Sequence, residues 1–441
     1  MSRFSGALAY KKPITYRFSV RLMINASIIL TALLSSLYSA VVTASESQKG
    51  EPLSLNEAIG RTFDYHPDLQ SFRYQLDAQK GRITQAQLSP KPEFSLTVED
   101  IAGSGDYQAL DSAQTTLSVS WILEQNLIQK RTQVARRGVS LIENEKAIAR
   151  LDSAAQTAHF FLKALSQQAR LRITAGAIEL AETTVREIEK SVNAGKTPLA
   201  ELYRAQAELA KRMLAKEDIK HRFNSSLRRL AAQWGSSEPR FETLVGSLET
   251  PVKVLPFSDL KKQVNSSPVL SRFLSQERLD QARLKLAEEQ RSPKWRFSTG
   301  IRRFERSDDF GIVAGISIPF GGNNQNQGRI AEARALISKT NSQAKATRLQ
   351  IETSLYVVYQ ELVHANHLAK MLRNSVIPKL ELALTETYQS YLLGKYSYLE
   401  WLTVQNELLD TQSMLLDANL SMHQSKIELE RLIGTQITSP L

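Results

Sequence analysis

The feature that most constrains this chain is that it repeats itself. Ser191–Leu209 (SVNAGKTPLAELYRAQAEL) aligns with Ser390–Leu408 (SYLLGKYSYLEWLTVQNEL) at an offset of 199 residues. Seven of the nineteen positions are identical: Ser191/Ser390, Gly195/Gly394, Lys196/Lys395, Glu201/Glu400, Gln206/Gln405, Glu208/Glu407 and Leu209/Leu408. Other landmarks recur near the same offset, Ser89-Pro90-Lys91 as Ser292-Pro293-Lys294 and Gln129-Lys130-Arg131 as Gln327-Gly328-Arg329. A period this long marks a duplication and not a solenoid of short repeats. The expected organisation is a first copy over 45–237, a Pro-containing linker over 238–256, a second copy over 257–436 and a short tail over 437–441.

Within each copy the hydrophobic pattern switches twice. The first copy opens with a helical stretch, roughly Leu53 to Leu88, entered through Ser54 with Glu57 three residues on, a capping-box spacing. Two strand-like runs follow, at about 93–101 and 114–123 in the first copy and about 295–304 and 311–320 in the second. In them Leu117, Val119 and Trp121 alternate with Ser118 and Ser120, and Phe297, Ile316 and Ile318 sit among small or polar neighbours. This is period two with one apolar face, at the length that a tilted membrane strand needs. Asp106 and Asp111, like Asp308 and Asp309, fall in the loops between paired strands.

Very long helices come next, from Asn126 to Asn193 and from Gln327 to Leu393, interrupted only by Gly138, Gly176, Gly328 and Pro378. Leu141, Ile148, Leu151, Ala155, Ala158, Leu162 and Leu165 keep a three-four spacing, as do Ile351, Leu355, Val358, Leu362, Ala365, Ala369 and Leu372. That is a coiled-coil seam. At 1.5 Å per residue each segment reaches about 100 Å. Each ends at the repeated Gly-Lys turn, where glycine supplies left-handed cap geometry, and the chain returns as another helix.

The first 44 residues carry Arg3, Lys11, Lys12, Arg17 and Arg21 and no acid, then an apolar run from Leu22 to Ala44. Basic start, apolar middle and small-residue exit compose a secretory signal peptide; the competing reading is a retained transmembrane helix. Taking those five charges from the formal +11 leaves +6, so no nucleic-acid partner is expected. The absence of Cys excludes disulfides, Cys-based metal centres and thiol chemistry.

Four strands with one lipid-type face set an assembly problem. A membrane barrel needs at least about eight strands, and an open sheet would leave backbone groups unpaired in lipid at several kcal/mol each. Protomers must then pool strands around a shared axis. The alternative is a soluble sheet packed on its own helices, in an exported coiled-coil scaffold without a pore.

The two-copy plan of helix, strand pair, long helix, Gly-Lys turn and return helix resembles the TolC family of outer-membrane efflux proteins. Ser89–Tyr107 (SPKPEFSLTVEDIAGSGDY), Thr116–Ser120 and Gln129–Arg136 are most similar to the CzcC-type branch, which serves heavy-metal cation efflux. Glu99-Asp100 stands where that branch has Glu-Asn, and Leu127-Ile128-Gln129-Lys130-Arg131 replaces its Gly-Gly-Lys-Arg-like approach. The resemblance implies an α+β membrane protein: a homotrimer with a shared twelve-stranded β-barrel on a periplasmic α-helical barrel. It implies a passive exit duct, coupled through a periplasmic adaptor to an inner-membrane pump, a resistance-nodulation-division cation transporter in this branch. Organic compounds or secreted polypeptides are the alternative cargoes. Gly195, Lys196 and Leu199 with Gly394, Lys395, Tyr398 and Leu399 are the implied docking tips, and Glu201 and Glu400 candidates for an acidic pore lining. Leu117, Val119, Trp121, Phe297, Ile316 and Ile318 are expected to face lipid.

No enzyme motif is present: no G-x-S-x-G, no phosphate-binding glycine loop, no H-E-x-x-H. His364 and His367 lie three apart on a helix, a spacing that can bind a metal, but no third ligand is evident. No resident cofactor is expected.

Overall fold

The computed structural model describes residues 51–321 and 326–437. The signal-peptide reading of the first 44 residues, residues 322–325 and the last four residues of the expected tail lie outside them. One unit comprises Leu53–Pro239 with Leu244–Leu441; Glu51, Pro52 and Arg240–Thr243 belong to a second and form neither helix nor strand.

The elements run α1 (Leu55–Tyr65), α2 (Pro67–Gln87), β1 (Glu93–Glu99), β2 (Gln114–Leu123), α3 (Gln125–Asn193), α4 (Leu199–Ala231), α5 (Phe257–Gln263), α6 (Pro268–Glu289), β3 (Trp295–Phe304), β4 (Asp309–Ser317), α7 (Gln327–Met371), α8 (Ile377–Leu392) and α9 (Tyr398–Ile433). The helix expected over 53–88 is two helices. His66 is extended, with ψ 123°, because the residue before a proline is pushed out of the helical region, and Pro67 starts α2. Ser54 does cap α1, accepting from the Glu57 backbone N–H, while the Glu57 carboxylate turns to Arg61.

The four strands form one antiparallel sheet in the order β1-β2-β3-β4. The β2–β3 pair, which joins the two copies, is ten residues long, with Leu117 opposite Ile301 and Trp121 opposite Phe297. Three strand ends differ from expectation. β1 stops at Glu99, and Asp100 and Ala102 take positive φ to begin the loop. β4 begins at Asp309, which is therefore a strand residue, and ends at Ser317, so Ile318 lies just past it. Pro319 has no backbone N–H to continue a ladder.

The long helices follow the strands. α3 is an unbroken helix of 69 residues. Its counterpart divides: α7 passes through a π-helical turn, Leu372–Val376, into α8, whose second residue is Pro378. A proline ring cannot sit against the carbonyl four residues back, and the wider turn makes room for it. The seams are buried at Ala155, Ala158, Leu162 and Leu165 and at Ile351, Leu355, Leu362, Ala365, Ala369 and Leu372. One core gathers Val264, Ile351, Leu355, Leu362, Met422 and Leu429 from α7, α9 and the segment around α5. The linker is tied down by Gln168, whose amide both accepts from and donates to the Leu244 backbone, at 2.9 and 3.0 Å.

Candidate functional site

Two places carry the features that a conduit needs, and alternation builds the first. Cross-strand partners share a face, so Phe94, Leu96, Leu117, Val119, Trp121, Phe297, Ile301, Ile312 and Ile316 lie on one side of the sheet. That side is uncovered: Phe94 is 82% exposed, Leu117 58%, Ile312 87% and Ile316 65%. Trp121 and Trp295 each stack on Phe297, at ring distances of 6.3 Å. A soluble sheet packed on its own helices would have buried these side chains, so the scaffold alternative has lost its main support.

The opposite face is polar and paired. Arg302 donates to Thr116 and Gln114 at 2.9 Å and to Glu99 at 3.0 Å, Arg296 donates to Glu93 at 2.7 Å, and the Ser95 and Ser118 hydroxyls meet at 2.8 Å. Gly300 lies on this face because nothing larger fits. A Cβ there would come within 2.5 Å of the Leu117 carbonyl and 2.7 Å of the Ser118 Cβ. β1 and β4 pair on one side only.

The second place is the pair of helix tips. Gly195 and Gly394 have φ of +69° and +68°. The turns are superimposable in their hydrogen bonds: Lys196 N–H donates to Ser191 O and Gly195 N–H to Val192 O, while Lys395 N–H donates to Ser390 O and Gly394 N–H to Tyr391 O, all at 2.9 Å. This is a Schellman closure made twice from duplicated residues. Lys196, Leu199, Lys395 and Leu399 are exposed at the turns. Tyr398 differs from them. Its ring is only 2% exposed and packs with Tyr391 and Trp401 against Ile188, Leu202 and Ala205 of the other hairpin. Burial, aided by the Glu208 carboxylate, pushes its phenol up to about 12.

Glu201 and Glu400 both stand in the first turn of a return helix. Glu400 closes a capping box, its carboxylate accepting from the Ser397 N–H at 2.7 Å and hydroxyl at 2.9 Å, which lowers its pKa. The aligned N-cap before α4 is Pro198, which offers no such partner to Glu201. His364 and His367 are both exposed, and among the described residues no three His, Asp or Glu side chains converge to hold an ion.

Sequence reasoning missed Arg212, which is buried between the hairpins. It donates to the Ala177 carbonyl at 3.0 Å and to Asn406 Oδ1 at 3.1 Å, with Glu208 at 3.4 Å. Nearby, Gln405 donates to Thr184 at 3.1 Å. Gln405 belongs to the repeated stretch, but nothing local marks Arg212 as anything but one more surface arginine.

The profile of the outer membrane efflux protein family matches residues 58–236 and 281–435, the greater part of the chain. The chain belongs to that family. Among curated relatives, it is 24% identical over 384 residues to the cobalt-zinc-cadmium resistance protein CzcC of Cupriavidus metallidurans, covering 87% of this chain and 90% of the relative. Among solved structures, it superposes on CusC with a TM-score of 0.70 at 16% identity, covering 87% of this chain and 92% of that one. VceC of Vibrio cholerae gives 0.69 at 17% identity, over 86% and 96%. These likenesses establish the TolC-like α+β fold. Family membership makes the chain an outer-membrane efflux channel, with the long helices on the periplasmic side.

Proposed function

We propose that three copies complete one twelve-stranded barrel, continuous with a helical tunnel, and that this homotrimer is the passive exit duct of a tripartite system. A periplasmic adaptor would meet it at the two Gly-Lys tips, where Gly195, Lys196, Leu199, Gly394, Lys395 and Leu399 form the exposed surface and Tyr398 braces it from within. An inner-membrane pump of the resistance-nodulation-division class would supply the energy, and no catalytic step falls to this chain. Glu201 is the better placed of the two candidate acidic lining residues, since Glu400 is engaged in its cap. The tandem copies, 45–237 and 257–436, each give two strands and one helical hairpin to the wall.

One observation carries this reading: a four-stranded sheet whose outer strands are paired on one side only and whose apolar face is bare. Backbone groups left unpaired in lipid cost several kcal/mol each, so the edges must be met by other copies. Heavy-metal cations are the proposed cargo, supported by the similarity to a cobalt-zinc-cadmium resistance protein. Deleting the gene should raise cellular cobalt, zinc or cadmium under metal load, with restoration by the intact chain. Unchanged metal content with accumulation of organic dyes would reassign the cargo; recovery of the protein in the soluble periplasm would remove the duct.

A further inference from the structure

Immediately below the sheet, α2, α3 and α6 enclose a cleft of 630 Å³ whose lining includes Arg82, Arg131, Arg283 and Lys294, and Glu124 as the one carboxylate among the lining residues. We propose that this cleft is an anion-attracting neck of the conduit, where strands meet helices, that gathers small inorganic anions such as chloride or phosphate and repels a cationic cargo. The proposal rests on the duct reading above.

The strand register places the cleft on the polar, inward side, and the helix register sets it opposite the grooves lined by α1. Along β3 the polar face carries Arg296, bonded to Glu93, and Lys294 lies two residues before it in the same alternation, while Trp295 and Phe297 point to the apolar face. Along α3 the cleft takes Arg131 and Gly138, whereas Ala147, Leu151 and Ala154 line a separate groove with Ile59 and Phe63 of α1. Nine residues, the step from Gly138 to Ala147, turn a helix by two and a half turns, so the two sets lie on opposite sides. α2 divides likewise, with Gln79 and Arg82 in the cleft and Asp77 and Lys80 in a groove with Phe63 and Arg150.

The charges do not cancel. Glu124 is shared between Lys294 at 3.1 Å and Arg131 at 3.7 Å. Arg283 has Asp280 at 3.0 Å, but that carboxylate is buried and also accepts from Thr340 and Gln276. The side-chain partner of Arg82 is the neutral Gln79, at 2.9 Å. Four cations therefore face two carboxylates in each chain, leaving two positive charges over. Higher up, Arg296 and Arg302 are each matched by a glutamate, Glu93 and Glu99, and Asp309 lies on the same face opposite Phe304, so the positive field is set below the sheet. A low-dielectric wall around a water-filled path focuses such a field, and threefold repetition would make the neck a ring. Guanidinium and ammonium groups have no lone pair to offer a metal ion, so a divalent cation passing the neck is repelled and never retained, which suits an exit path.

The test is the zero-current potential of the purified full-length protein in a planar bilayer under a KCl gradient. Arg82→Gln with Lys294→Gln should lower the chloride-to-potassium permeability ratio by roughly twofold or more, and the single Arg82→Gln change should lower it in the same direction. Lys80→Gln removes the same charge from the other side of α2 and should leave the ratio unmoved. Conductance with a ratio that the neck variants do not shift, or that Lys80→Gln shifts equally, would overturn the neck and leave the duct standing. A wild type that forms no conducting pore would overturn the duct reading, and the neck with it.

Discussion

Arg212 and Asn406 are 194 residues apart in sequence and 3.1 Å apart in the fold. They stand on the two return helices, α4 and α9, and the same guanidinium also holds the Ala177 carbonyl of α3. One side chain, 5% exposed, thus fastens the hairpin of the first copy to that of the second. A hydrogen-bonded charge can be buried at such a crossing only if all its partners are present.

Arg212→Met should therefore cost about 2–4 kcal/mol, since it leaves the Asn406 amide oxygen and the Ala177 carbonyl without their donor and removes one of the two cations beside Glu208. Asn406→Ala should cost less, about 1 kcal/mol. Thermal unfolding followed by helical circular dichroism gives both. The double variant should lose less than the sum of the two, because the interaction is shared; full additivity would mean that the bond is not formed.

The paired changes Gly195→Val and Gly394→Val should spare assembly and abolish export. No atom lies within 4 Å of a Cβ built at either glycine, so the penalty is conformational and not a clash. It is about 1–2 kcal/mol per site for an L side chain at positive φ, enough to re-aim a tip without unfolding the hairpin behind it. Trimer recovery by gel and efflux in cells separate the two effects. Normal efflux in the double variant would remove the docking role from the tips.

Glu430 on α9 should make stability fall as pH rises from about 4.5 to about 7. Burial pushes its carboxyl up to about 7 against the attraction of Lys426, so over that window the folded chain holds a proton that the unfolded chain has released. His159 and His423 act in the other direction. Burial lowers both, and their contribution is lost as pH falls below the ordinary histidine value of about 6.5. The comparison must therefore be made against Glu430→Gln: the difference in melting temperature between wild type and variant should favour wild type less at pH 7 than at pH 4.5. A difference independent of pH would place Glu430 in water.

Neighbouring residues on β4 should respond oppositely to charge. Ile312→Arg puts a guanidinium on the bare apolar face and should cost up to about 2–4 kcal/mol in the membrane. Val313→Arg, on the polar face, should still assemble. Heat-stable oligomer in outer-membrane fractions reads both; equal tolerance would contradict the face assignment.

These relationships were unevenly legible in the sequence. Strict alternation in Leu117, Val119 and Trp121 declares a face because a strand has only two, and a glycine repeated before lysine at 195 and 394 declares a turn because few residues accept positive φ. The break at His66-Pro67 was readable from the proline, but an apolar pattern continuing through it suggested one helix. The π-helical turn at Leu372–Val376 had only Pro378 as a cue, since a proline can kink, widen or end a helix with the same sequence. Arg212, Asn406 and the cleft around Glu124 were illegible for a different reason. Each depends on which helices become neighbours, and a charge on a long helix looks the same whether it meets water, a second hairpin or an enclosed path. The β2–β3 pairing that joins the copies is of the same kind, set by tertiary arrangement and not by a local turn.

The most direct test of shared barrel closure uses the absence of cysteine from the chain. β1 and β4 are the two outer strands of a four-stranded sheet, so within one chain they are separated by three strand spacings, about 14 Å. That is well beyond the span of about 7 Å that a disulfide tolerates between Cα atoms. A panel of chains carrying one cysteine on β1 and one on β4 should, on oxidation in the outer membrane, give covalent dimers and trimers with trimer as the largest closed product. Chains that remain monomeric across the whole panel, or a purified protein that is a stable monomer without detergent, would contradict it.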